Sequence, residues 1–209
     1  MIRRFPRYYR HLSSLQKRGV YSVSSKDLSE QMGITPSQIR KDFAHFGGDG
    51  LHSGYEVGIL KNKIANFLGL GKTYNMVIIG AGSLGRALMF NKSFEKEGFQ
   101  VIGIFDTDAD VIGEKIETFK VEHLDCLSQF VKHQNIDIAV IAVPNIEAIG
   151  IIHKVISFGI KGIWNFSPVE VRVPNDVAIE NTCLGDSLMI LGYHLKKDRT
   201  QQSCESPTV

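Results

Sequence analysis

Met76-Val77-Ile78-Ile79-Gly80-Ala81-Gly82-Ser83-Leu84-Gly85 runs a short apolar segment straight into a glycine-rich turn. The apolar run predicts a buried strand, and the residues after the turn predict a helix over 83–96. A second apolar run, Val101-Ile102-Gly103-Ile104-Phe105, ends on Asp106, which lies 21 positions after Gly85. Strand, Gly-x-Gly-x-x-Gly, helix, strand and acid in this order form a dinucleotide-binding fingerprint. Each glycine has a separate expected task. Gly80 permits the tight turn, Gly82 lets the backbone approach a pyrophosphate, and Gly85 lets the helix pack close to the strand.

The pyrophosphate is expected at the helix N-terminus, where free N–H groups point outward. Gly80, Ala81, Gly82, Ser83, Leu84 and Gly85 are therefore candidate cofactor-binding residues. Asp106 is placed to accept both hydroxyls of a ribose and to repel a 2′-phosphate. That choice favours NADH and NAD+ over their phosphorylated forms and argues against coenzyme A. Further along, strands over 136–143 and 162–166 alternate with helices over 125–133 and 146–158. Continuous apolar strands alternating with helices predict a parallel sheet covered on both faces, a Rossmann-type α/β domain over 76–182.

The chain before residue 76 reads differently. Residues 1–75 carry 12 Lys and Arg against 5 Asp and Glu, and residues 76–209 carry 12 against 17. The net charge of +2 thus hides a basic first part and an acidic second part. Phe5, Tyr8, Tyr9, Leu12 and Leu15 build one face of a helix over 4–18, with Pro6 in its first turn and Gly19 as its stop. Ser24 or Ser25 caps a second short helix that places Leu28 and Met32 inward. Thr35-Pro36-Ser37-Gln38 starts a third, with Thr35 as cap, Pro36 at the first position and Gln38 completing a capping box.

Helix, turn and capped helix make a helix-turn-helix, whose second helix offers its N-terminal residues to a major groove. Ser37, Gln38, Arg40, Lys41 and His45 are the candidate DNA-binding residues on it. Arg40 and Lys41 suit phosphates or guanine edges, and Gln38 suits adenine. The glycine-rich stretch 47–57 predicts a β-hairpin wing that carries His52, followed by a helix over 59–68 and a linker over 69–73. The first domain is thus expected over 1–75 as a winged helix that binds double-stranded DNA. A small protein-binding bundle with solvated charges is the rival reading.

Cys126, Cys183 and Cys204 follow no disulfide or metal-ligand spacing. No apolar run reaches the roughly 18 residues that span a membrane. The charged N-terminus leads into no long apolar region, so no secretory signal is read and the cytoplasm is expected. Catalysis finds no support, because His123, His133, His153 and His194 do not fall at a predicted strand end beside a second reactive group. An oxidoreductase with a basic extension stays open as an alternative, as does a DNA binder blind to coenzyme. Residues 183–197 carry Leu184, Leu188, Met189, Leu191 and Leu195 on a helical face at the end of a complete fold. That face is expected to pack on a partner subunit, since such proteins read palindromes as dimers. Residues 198–209 are polar and expected to be disordered.

Several motifs resemble one family. Ser37-Gln38-Ile39-Arg40-Lys41-Asp42-Phe43, Phe46-Gly47 and Gly54-Tyr55-Glu56-Val57 are similar to the DNA-binding domain of the Rex redox-sensing repressors. Gly80 to Gly85, Gly103-Ile104-Phe105-Asp106, Ile141-Ala142-Val143-Pro144 and the run from Gly159 to Pro168 are similar to their Rossmann domain. The resemblance implies a bacterial cytoplasmic homodimer that binds palindromic operators and releases them when NADH binds, with NAD+ competing. It implies a domain-swapped C-terminal helix. It also adds Val143, Pro144, Asn165 and Phe166 to the cofactor-binding set. Three positions depart from the family pattern. The wing is one residue shorter and reads Leu51-His52-Ser53 where an Arg is usual. Asn91 stands where many members have Tyr. Cys183 stands where an Asp usually pairs with an Arg of the first helix, matched here by Arg10, and Asp186 lies one turn further on. Arg10, Asn91, Cys183 and Asp186 are therefore the candidate switch and dimer residues, and an altered NADH response is the alternative.

Overall fold

The computed structural model describes residues 1–47 and 54–204, with the side chains of 197–204 left aside. The chain divides into two compact units, Met1–Lys72 and Thr73–Val209.

In the first unit, α1 (Phe5–Lys17) packs along α4 (Val57–Phe67), and α2 (Ser25–Met32) packs against α3 (Pro36–Phe43). The expected stripe Phe5, Tyr8, Leu12 and Leu15 is buried, and it meets Leu28, Ile39, Phe43, Val57, Leu60 and Ile64 in one core. Ser24 caps α2 in a full capping box with Asp27, and Gly33 ends it in the left-handed region at φ 67°. Thr35 caps α3 by accepting from the Gln38 N–H at 3.3 Å. The expected second half of that box does not form, because the Gln38 side chain donates to Asp42 instead. A two-stranded antiparallel sheet joins β1 (Ser22–Val23) to β2 (Tyr55–Glu56). The strand after the glycine-rich stretch thus pairs with a strand between α1 and α2, which has no signature in the sequence because two residues show no periodicity. Residues 48–53, which hold the expected wing tip and His52, lie outside the described residues.

The second unit is built on six parallel strands: β3 (Tyr74–Ile79), β4 (Phe99–Asp106), β7 (Glu122–His123), β8 (Ile138–Ile141), β9 (Gly162–Asn165) and β10 (Ala178–Asn181). Their order is β10-β9-β8-β3-β4-β7, so the sheet is wound outward in both directions from the β3/β8 pair. A small antiparallel pair, β5 (Lys115–Ile116) and β6 (Phe119–Lys120), lies in the connection after β4. Strand side chains alternate between faces, which explains two cores. Val77 and Ile79 join Leu127 of α7 (Leu127–His133) and Ala148, Ile151, Ile152 and Val155 of α8 (Asn145–Ser157) on one face. Met76, Ile78, Ile104 and Val140 pack with Ala81, Ile116 and Val121 on the other.

The helix expected over 83–96 is two helices, α5 (Ser83–Met89) and α6 (Ser93–Lys96). Asn91 breaks it, since its Oδ1 accepts from the N–H and hydroxyl of Ser93 at 3.2 and 2.6 Å. A local side-chain bond of this kind competes with the helical ladder. The last helix, α9 (Leu184–Cys204), continues beyond the end expected at Lys197, and residues 205–209 lie outside the described residues. No breaker stands between Lys197 and Cys204.

A Cβ on Gly85 would sit 1.8 Å from the Gly80 carbonyl oxygen, a backbone atom that cannot yield. Gly85→Ala should therefore destabilise the second unit by about 3 kcal/mol in urea unfolding. Gly150→Ala, on α8 with nothing within 4 Å, should stabilise it, by about 0.5–1 kcal/mol.

Candidate nucleotide crevice and DNA interface

Winding outward from β3 and β8 leaves a crevice beyond their carboxyl ends, where helices leave toward opposite faces. The glycine turn opens there. Gly80 takes φ 107°, and a Cβ on it would lie 2.4 Å from the Ala142 carbonyl oxygen and 3.0 Å from the Val143 side chain. The turn after β3 and the segment after β8 thus meet backbone to backbone. Gly82 is exposed, and a Cβ there would meet nothing within 4 Å. The space beside it is open, which leaves the backbone free for close approach by a phosphate group. Ser83 is exposed and Leu84 half-buried at the start of α5, while Ala81 is fully buried.

Asp106, at the end of β4, faces this turn. One oxygen accepts from the Ala81 N–H at 2.5 Å, and the other accepts from the N–H groups of Thr107 and Asp108 at 2.7 and 3.0 Å. Three backbone donors fix the carboxylate beside the glycine turn and leave about one of its four acceptor sites for a ribose hydroxyl. Arg86 was not among the sequence candidates. Its Nε donates to the Ala81 carbonyl at 2.7 Å, and its Nη2 pairs with Glu114, so it braces the turn from behind. An Arg six residues after the first glycine is the signal that could have found it.

The remaining crevice candidates differ in role. Val143 is half-buried, with its carbonyl accepting from the Ser167 hydroxyl at 2.5 Å, and Pro144 is exposed. Phe166 is half-buried against Trp164, with ring centroids 4.6 Å apart. Asn165 is fully buried, its Nδ2 within 3.1 Å of the Ser167 and Val169 carbonyls and the Asn181 side chain, while its Oδ1 accepts from the Ser167 N–H. Asn165 therefore shapes the loop after β9 rather than facing the crevice. His123 accepts from the Asp125 N–H through Nδ1, and His133, His153 and His194 lie exposed on α7, α8 and α9.

The DNA-facing candidates sit on α3 and just after it. Ser37, Arg40, Lys41 and His45 are exposed, with His45 on the short 3-10 turn Ala44–Phe46. One guanidinium nitrogen of Arg40 lies 3.2 Å from the Ser25 hydroxyl, which ties it to the start of α2. Gln38 is the exception, because its amide donates to Asp42 at 2.9 Å. Asp42 is 1% exposed and is the charged centre of the unit. Arg4 donates to both of its oxygens at 2.6 and 2.7 Å, and the Tyr8 hydroxyl donates at 2.9 Å. Burial pushes the Asp42 carboxyl up. The hydrogen bonds from Arg4, Tyr8 and Gln38, with the charge of Arg4, outweigh it and hold the group below the usual carboxylate range. Burial and the same carboxylate push the Tyr8 phenol up. Sequence reasoning missed this hub, since a lone Asp in a polar helix looks solvated.

The switch candidates are spread out. Arg10 is exposed on α1, Asn91 is exposed between α5 and α6, Cys183 is half-buried just before α9, and Asp186 is exposed in its first turn. On α9, Leu184, Leu188, Met189, Ile190, Leu191, Tyr193 and Leu195 are all more than half exposed.

A helix-turn-helix unit and a doubly wound nucleotide-binding unit on one chain define a ligand-responsive DNA-binding regulator. The chain belongs to the Rex family of redox-sensing transcriptional repressors. It is 43% identical to the redox-sensing transcriptional repressor Rex of Caldanaerobacter subterraneus over 210 residues, which covers 100% of this chain and 94% of that one. Solved structures of RSP, a Rex-family repressor, match at 42% identity. The complex with β-NADH covers 98% of this chain and 96% of that one with a TM-score of 0.88. The complex with β-NAD+ and operator DNA covers 100% and 96%, also with a TM-score of 0.88. Residues 1–44 match the family model "Putative DNA-binding protein N-terminus", and residues 71–169 match the model "CoA binding domain".

Asp42 titrates lower in the folded chain than in the unfolded one. Its contribution to stability is present in full above about pH 4 and is lost as the pH falls through the depressed folded value. Unfolding free energy measured from pH 6 downward should drop on this limb, and Asp42→Asn should lower stability at pH 6 and flatten the drop.

Proposed function

We propose that this chain is a transcriptional repressor that senses the balance of NADH and NAD+, holding palindromic operator DNA and releasing it when NADH binds. The observation that carries this reading is the likeness over nearly the whole chain to a repressor solved both with β-NADH and with β-NAD+ on operator DNA. The protein's own chemistry agrees. The open space beside Gly82 leaves room for a pyrophosphate, and the fixed Asp106 carboxylate can accept a ribose hydroxyl but repels a phosphate on that ribose. The latter separates a dinucleotide from coenzyme A, whatever the breadth of the matching domain family. Ser37, Arg40, Lys41 and His45 present donors to DNA, with Gln38 turned inward.

The working unit is a homodimer in the cytoplasm, with α9 exchanged between subunits. Seven large apolar side chains on α9 stay exposed within a single chain, and a second copy is the partner that a palindrome requires. NADH can release DNA only if it binds the DNA-incompetent arrangement more tightly than the competent one. On the family resemblance, Arg10 and the acid position held here by Cys183 belong to that switch, with Asp186 one turn further on, and Asn91 stands at a position tied to the coupling of ligand and dimer. A second reading, a weakened NADH response, is favoured by Cys183 at a position where the family resemblance implies an acid.

Fluorescence anisotropy on a duplex selected from a random-sequence pool tests the assignment at fixed salt. NADH should release the duplex and excess NAD+ should oppose it. Lys41→Ala should weaken DNA binding several-fold and lower the salt slope by about one, without changing coenzyme affinity. Gly82→Leu should block coenzyme and leave DNA binding intact. Cys183→Asp should strengthen NADH-driven release, and an unchanged response in that variant removes the second reading.

A further inference from the structure

Two successive side chains of β9 grip the end of β10, one on each face of the sheet. On one face the Trp164 indole N–H donates to the Thr182 hydroxyl at 3.0 Å. On the other the Asn165 amide donates to the Asn181 side chain at 2.8 Å. The Thr182 N–H donates to the Asn165 carbonyl at 2.8 Å, so pairing with β9 runs to within two residues of α9. The same two side chains hold the wall of the crevice. The Trp164 ring packs on Phe166 and meets Phe94 of α6 edge-on, with centroids 4.6 and 5.6 Å apart. Asn165 accepts from the Ser167 N–H, and the Ser167 hydroxyl donates to the Val143 carbonyl after β8.

We propose that Trp164 is a positioning residue for the coenzyme response, and that its bond to Thr182 couples the wall of the nucleotide crevice to the root of α9. This role rests on the NADH-driven release proposed above. The root of α9 can shift along β9 only if the indole bond breaks or the ring moves with it. A moving ring carries Phe166 at the crevice and Phe94 on α6. Phe94 lies three residues after Asn91, and Thr182 directly precedes Cys183, so the indole joins two positions at which the chain departs from its family pattern. One arrangement of α9 thereby depends on one arrangement of the crevice, which is the condition for a coupling free energy between two sites. Asn165 is the more buried of the two grips and shapes its own loop, whereas the indole N–H can be removed with the ring kept in place.

The test uses the full chain and the selected duplex. Three quantities are measured: the Kd for duplex without coenzyme, the Kd for NADH without duplex, and the factor by which saturating NADH weakens duplex binding. Trp164→Phe removes the N–H, Thr182→Val removes the hydroxyl at nearly constant shape, and Thr182→Ser keeps the hydroxyl. Both Kd values should stay within about twofold, while the NADH factor falls about fivefold in Trp164→Phe and in Thr182→Val, falls no further in the double variant and is kept in Thr182→Ser. An unchanged factor in Trp164→Phe or Thr182→Val, falls that add in the double variant, or an equal fall in Thr182→Ser overturns the role. So does a loss of duplex or NADH binding itself, which marks a merely structural residue. If NADH does not release the duplex from the unaltered chain, the proposed function fails together with this role. Release from the unaltered chain with an unchanged factor in the variants removes the role of Trp164 alone.

Discussion

The second unit depends on a backbone approach that only glycine allows. The Gly85 Cα lies against the Gly80 carbonyl, and Gly80 itself lies against the Ala142 carbonyl with φ at 107°. These two approaches seat α5 on β3 and bring the ends of β3 and β8 together. A side chain at either position would push the helix away from the strand and close the crevice that winding in two directions leaves open. The Ala81 N–H then points at Asp106, and Arg86 secures the carbonyl of the same residue. The candidate nucleotide crevice is therefore a consequence of close packing, with few side chains of its own.

The first unit is organised around a charge. A buried carboxylate is costly unless it is paired and hydrogen-bonded. Asp42 has Arg4 on both oxygens, with Tyr8 and Gln38 completing the shell. These bonds connect the first helical turn of the chain to the last turn of α3. The orientation of α3 is thereby set by α1, and Gln38, a candidate base contact in the sequence, becomes part of the scaffold.

Long periodic segments are legible in the amino-acid sequence. The apolar stripe of α1, the caps at Ser24 and Thr35, the strand that leads into Gly80 and the acid at Asp106 each follow from local chemistry. Features that depend on distant partners are not legible in this way. Two-residue strands such as β1 and β2 exist because they pair with each other across more than thirty residues. The break at Asn91 depends on one side-chain bond to Ser93 that composition does not announce. Asn165 resembles a ligand contact by its place in the family motif, and burial makes it a brace for the loop after β9.

The amino-acid sequence by itself determined the two-part plan: a basic capped-helix segment followed by alternating apolar strands and helices with a glycine turn and an acid in register. Helical and strand periods, caps and glycine spacing are short-range properties, so they can be read along the chain. Only the tertiary structure decided which polar residues face outward and which are structural. Asp42 and Gln38 turned inward, and Arg86 became a brace. The physical reason is that burial and hydrogen-bond satisfaction depend on neighbours far away in sequence, and packing alone brings those neighbours together.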